Sequence, residues 1–204
     1  SAGANAISAN NSNFFGLYTG SGATGANNSN FMGNGAGNNA TNAANSNFLG
    51  YDAGLEATNA DGSNFFGAYA GYTATNAYRS NFLGRQAGQN ATNASNSNFF
   101  GELAGYSATN ASYANFFGFQ AGLNAYNATN SIFIGRNAGY YDTVDNTADA
   151  NDFSILIGKS TSTGGFENSI AIGGSATNTA SNQFMIGSAI RPIDTTRING
   201  SAST

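Results

Sequence analysis

The chain has 204 residues and a mass of 20.7 kDa, enough for one domain with a core or for a stack of repeats. Charged residues are 8% of it, the net charge is −4, and 33 Asn, 35 Ala and 28 Gly make almost half the chain. With no Cys and no His, disulfides, thiolate sites, the commonest general base and the commonest zinc ligand are excluded, and one Lys with five Arg makes no phosphate-binding face.

Nucleic acid is therefore not an expected partner. No apolar run approaches the ~18–20 residues that span a bilayer, so membrane insertion by this segment is not expected either. One Pro and 16 Phe argue against a disordered Asn/Gly linker. The chain opens on Ser1 without a charged-then-apolar leader, and it reads as the ordered part of a longer protein.

Internal repetition organises the sequence. Ala2 to Ser12 fit the second half of a unit. Cores then begin at Asn13, Asn30, Asn47, Asn64, Asn81, Asn98, Asn115 and Ile132, each 17 residues after the last. The unit reads N-F-[FLM]-G-x-x-A-G-x-x-A-T-N-A-x-x-S. Seventeen residues cannot hold two helices and their turns, and no 3.6 periodicity is present. The expected fold is all-β: a parallel β-solenoid of about twelve coils, counted from the repeat. Each coil is expected to hold one strand at Ser-Asn-Phe-Phe and another at Ala-Thr-Asn-Ala. Glycines at the fourth and eighth positions, such as Gly50 and Gly54, would supply positive φ at the corners.

Regular coils cover 1–139. An acidic insertion at 140–154 follows, then shorter coils at 155–187, and a transition segment at 188–204. The later cores, Ile155-Leu156-Ile157-Gly158, Ile170-Ala171-Ile172-Gly173 and Phe184-Met185-Ile186-Gly187, follow steps of 23, 15 and 14 residues.

Strand alternation puts the first and third unit positions on one face and the second on the other. Ile132, Ile155, Ile170 and Phe184 replace Asn at the first position, which suggests that the first and third positions face inward. The second position would then place Phe14, Phe31, Phe48, Phe65, Phe82, Phe99, Phe116 and Phe133 outside, as an apolar row covered by neighbouring chains. The alternative is a wider monomeric solenoid in which the row is covered within one chain.

Asn168-Ser169-Ile170-Ala171-Ile172-Gly173-Gly174-Ser175-Ala176-Thr177 resembles the N-S-x-A-[IV]-G-x-x-[SA] repeat of trimeric autotransporter adhesin heads. Similar Asn/Gly-rich repeats occur in bacterial and phage tail-fibre proteins. The resemblance implies a left-handed parallel β-roll in a side-by-side homotrimer, on a cell surface or in a fibre. The 14-residue step from Ile170 to Phe184 matches that family's unit, and the 17-residue unit looks like an enlarged version. Phe at the second position departs from the small residue usual there.

Catalysis has little to stand on. Asp52, Glu56, Asp61 and Glu102 sit at turns of separate coils with no repeated pair, and Ser and Thr have no nearby base, so no enzyme and no cofactor are expected. Asp142, Asp145, Asp149 and Asp152 form a weak candidate for Ca²⁺, outweighed by a solvated acidic loop because their spacing matches no known calcium loop. Asn-x-Thr triplets such as Asn39-Ala40-Thr41 come free with the repeat. Tyr18, Tyr51, Tyr69, Tyr72, Tyr78, Tyr106, Tyr113, Tyr140 and Tyr141 fall at variable turn positions or just beyond, and their amphipathic rings suit a glycan or protein surface. The expected function is a structural and adhesive fibre segment giving multivalent attachment. A passive spacer and an ice- or mineral-binding solenoid are the alternatives, the latter because Thr24, Thr41, Thr58, Thr75, Thr92 and Thr109 recur once per coil.

Overall fold

A computed structural model of the chain describes residues 1–144, 153–190 and 192. Each repeat core forms one three-residue strand: β1 (Asn13–Phe15), β2 (Asn30–Met32), β3 (Asn47–Leu49), β4 (Asn64–Phe66), β5 (Asn81–Leu83), β6 (Asn98–Phe100), β7 (Asn115–Phe117), β8 (Ile132–Ile134), β9 (Ile155–Ile157), β10 (Ile170–Ile172) and β11 (Phe184–Ile186). They pair in parallel and in chain order as a single sheet, giving a β-solenoid of about ten turns with no helix among the described residues. Identical unit positions stack, as in Asn47↔Asn64 and Phe48↔Phe65. The insertion does not break the ladder, because Ile132 pairs directly with Ile155.

The second strand expected at Ala-Thr-Asn-Ala is only a row of single-residue bridges running from Ile7 and Thr24 to Tyr126 and Thr143, with one more between Ser162 and Thr177. The residue after each Thr stops it from extending. Asn42, Asn59, Asn76, Asn93, Asn110 and Asn127 have φ of 49–56°, which turns the chain left-handed after one bridge. More than half of the non-Gly residues at positive φ are Asn, the type that tolerates this conformation best. This accounts for much of the Asn content.

The facing of the strands is the reverse of the sequence expectation. Phe31, Phe48, Phe65, Phe82, Phe99, Phe116 and Phe133 are fully buried inside their own coils. Phe14, in the first coil, is partly buried against the same core. The first and third positions face outward. From Phe31 to Phe133 the rings stack with centroids 4.6–4.8 Å apart and planes within 3–10° of parallel, one ring per turn. The row therefore needs no neighbouring chain to cover it. A thin coil can hold it because the other walls turn only small side chains inward. In the coil of Phe48 these are Ala53, Ala57, Ala60 and Ser63, all fully buried. Gly54, at φ 64°, lies against the ring, where an added Cβ would meet Phe48 Cδ2 at 2.4 Å. Gly50, at φ 140°, packs on the next coil, where a Cβ would meet the Gly67 carbonyl oxygen at 2.5 Å. The corner glycines thus supply positive φ, as expected, and also a close approach that any side chain would block.

Buried Ser residues tie the turns together. The hydroxyls of Ser29, Ser46, Ser63, Ser80 and Ser97 donate to the carbonyls of Ala43, Ala60, Ala77, Ala94 and Ala111 of the next coil at 2.5–2.7 Å. Each also accepts the backbone N–H of the same position one turn on, at 3.0–3.2 Å. One small polar group therefore satisfies two buried backbone groups per coil.

Candidate binding surfaces

Three kinds of surface emerge from this winding. The first is the outer face of the sheet. Its third-position column, Phe15, Met32, Leu49, Phe66, Leu83, Phe100, Phe117, Ile134, Ile157, Ile172 and Ile186, runs past every strand and is half-buried to exposed, with Phe15 at 72%. Beside it the first-position amides of Asn13, Asn30, Asn47, Asn64, Asn81, Asn98 and Asn115 form a ladder. Each Nδ2 donates to the next Oδ1 at 2.8 Å. The Asn ladder therefore lies on the outer face and not in the interior. In the last coils Ile132, Ile155, Ile170 and Phe184 continue this column, so the outer face turns wholly apolar there. The sequence signal was present in those Ile residues, but they mark the outside.

The second surface is polar. The bridged Thr24, Thr41, Thr58, Thr75, Thr92 and Thr109 are half-buried. The next residue in each unit forms a second amide ladder, from Asn42 to Asn127, at 2.7–3.0 Å.

The third is the corner that carries most of the tyrosines. Tyr51 and Tyr69 meet edge to face at 5.3 Å, and Tyr69 and Tyr72 at 5.9 Å, so three of the nine predicted residues gather at one place. The Asp52 carboxylate beside Tyr51 holds the phenol above its ordinary range, while partial burial raises Asp52 itself. Tyr140 and Tyr141 form a second pair with centroids 4.6 Å apart. Tyr78 carries the Arg79 guanidinium over its ring at 4.7 Å. Tyr18 and Tyr113 are exposed, Tyr106 is half-buried, and none of these three shares a ring contact with another of the nine.

Of the acidic candidates, Asp145, Asp149 and Asp152 lie outside the described residues. Asp142 is buried and turned inward, where it accepts the Thr163 backbone N–H at 2.6 Å and the Thr163 hydroxyl at 2.8 Å. Desolvation raises its pKa, and the Thr163 bonds partly offset this. Its oxygens serve the joint between the coils on either side of the insertion. Among the described residues no group of three or more acidic side chains is placed to hold a metal ion. Glu102 pairs with Arg85, and Asp61 accepts from the Asn45 amide at 3.2 Å, so these turn carboxylates act singly. A shallow hollow at the last coil is lined by Thr177, Met185, Ile186 and Pro192, with no titratable side chain among the described residues of its wall. No family model and no curated protein matches the chain.

Proposed function

We propose that the chain is a non-catalytic, adhesive rod segment, wound as a left-handed β-roll and assembled side by side as a homotrimer. It would project from a cell surface or a fibre and attach to glycan or protein through many weak contacts. The outward third-position column from Phe15 to Ile186 carries this reading. A continuous apolar stripe along a rod calls for a cover. Its residues recur at the strand spacing of ~4.8 Å, a pitch that a second copy of the same solenoid matches along its whole length. The stripe replaces the buried Phe row as the ground for association.

Sedimentation equilibrium tests this. The expected mass is three times the 20.7 kDa of one chain. The paired outward variant Leu83→Asp and Phe100→Asp should give a folded single chain. A wild-type mass of one chain overturns the trimer. Alanine at the turn tyrosines separates adhesin from spacer, since unchanged cell binding leaves only the spacer.

A second reading has its own observation. The Thr bridges and the adjoining Asn ladder hold hydroxyls and amides in register over several turns, an array suited to ordering water or a mineral face. Thermal hysteresis that is lost in Thr75→Leu would favour it, and its absence in the wild type removes it.

A further inference from the structure

We propose that the corner formed by Tyr51, Asp52, Tyr69 and Tyr72 is a binding site for a neutral hexose-based glycan. This deepens the adhesive reading and rests on it. Most unit positions repeat, but this combination does not. The fifth and sixth positions of successive coils read Asn34-Gly35, Tyr51-Asp52, Ala68-Tyr69 and Arg85-Gln86. Small residues flank the aromatic ones. Gly35 leaves open the place over which the Asp52 carboxylate leans, since a Cβ there would overlap Asp52 Oδ1. Ala68 leaves the outer side of Tyr51 without a long neighbour on the next turn.

The backbone fixes the platform. The Tyr69 N–H donates to the Tyr51 carbonyl and the Asp52 N–H to the Asn34 carbonyl, at 2.8 and 2.9 Å. Tyr51 is 49% exposed, and the edge-on ring of Tyr69, itself packed against Tyr72, braces it from one side. A sugar offers an apolar C–H face and vicinal hydroxyls. The face suits the Tyr51 ring, and two hydroxyls suit a carboxylate that is already partly stripped of water. The negative charge selects against sialylated and sulfated sugars. One site per chain is weak by itself, and an assembly of several chains multiplies it.

The test is saturation-transfer NMR on the full chain with lactose, cellotetraose and chitotetraose, and with sialyllactose as the anionic control. The chain has no Trp, so tyrosine emission gives a second readout. Transfer to the ring protons of at least one neutral probe is expected, with about tenfold weaker binding in Tyr51→Ala and in Asp52→Asn. Tyr126→Ala, at an exposed ring outside the nine turn tyrosines, should bind as the wild type does. Three results overturn the proposal: no transfer to any neutral probe, transfer unchanged in both corner variants, or equal transfer to sialyllactose. None depends on oligomeric state, so a monomeric mass would refute the trimer and leave this result standing.

Discussion

Between Asn13 and Gly139 each coil lays a Phe ring in its interior, whereas from Ile155 onward the same position holds Leu156, Ala171 and Met185. The outer sheet hardly notices. β8, β9 and β10 stay in register while the coil shortens to 15 and then 14 residues. What changes is the filling. The long coils enclose one ring and a set of Ala, closed by Ser hydroxyls. The short coils enclose smaller apolar groups together with buried Thr161, Thr163 and Asn178, whose Nδ2 donates to the Gln183 carbonyl at 2.9 Å. Coil length and core volume are thus matched. Two or three fewer residues in the turns leave no room for the ring.

Exchanging the fillings breaks this match. Phe82→Ala should cost about 3–5 kcal/mol in a urea titration, because the rigid neighbouring coils cannot close on the gap. The reverse change, Ala171→Phe, should cost roughly 1–3 kcal/mol by overpacking. If either variant melts like the wild type, core volume does not set coil length. Gly54→Ala comes next, at about 2–3 kcal/mol, because it adds left-handed strain to a collision with the Phe48 ring.

Ser80→Ala removes the bridge between the Ala94 carbonyl and the Ser97 N–H, and should cost about 1–3 kcal/mol. The chain already contains the opposite case. Ala114 stands where its neighbours have Ser, and Ala114→Ser should stabilise the rod by about 0.5–1.5 kcal/mol.

The joint between the two regions should respond to pH. Burial lifts the Asp142 pKa above its ordinary 3.8. From 3.8 up to that raised value the folded chain keeps a proton that the unfolded chain has lost. This group therefore makes stability rise as pH falls through that window, and Asp142→Asn should flatten the response in melting curves recorded against pH. A further modest effect is expected at Thr73, a β-branched residue at φ 50° in a column that also holds Asn39, Asn90 and Asn124. Thr73→Asn should raise stability by about 1 kcal/mol.

Much of the architecture was legible in the residues. The 17-residue period placed every strand from Asn13 to Ile132, the persistent tetrads placed the later ones, and Gly50 and Gly54 marked corners. The strand facing was not legible. Phe and Leu or Met stand at adjacent positions, so alternation gives two apolar faces and names neither as inner. The deciding information lies in the opposite walls, where Ala53, Ala57 and Ala60 leave room for one ring, and it acts only when the coil closes. The candidate corner was legible in part. Tyr51, Tyr69 and Tyr72 all stand at turn positions of the repeat, but six other tyrosines look the same.

The sequence by itself determined the repeat, the parallel register and the corners, because these follow from spacing and from backbone preferences within a few residues. Low charge and abundant Asn, Ala and Gly belong to that local level: Gly and Asn at turns, Ala at inward walls. Only the tertiary structure decided that Phe48 lies inside and Leu49 outside, that the Asn ladders face outward, and that Tyr51, Asp52 and Tyr69 meet. Those outcomes depend on which walls face one another across a closed turn and on what stacks one turn away, contacts that no stretch of a few residues contains.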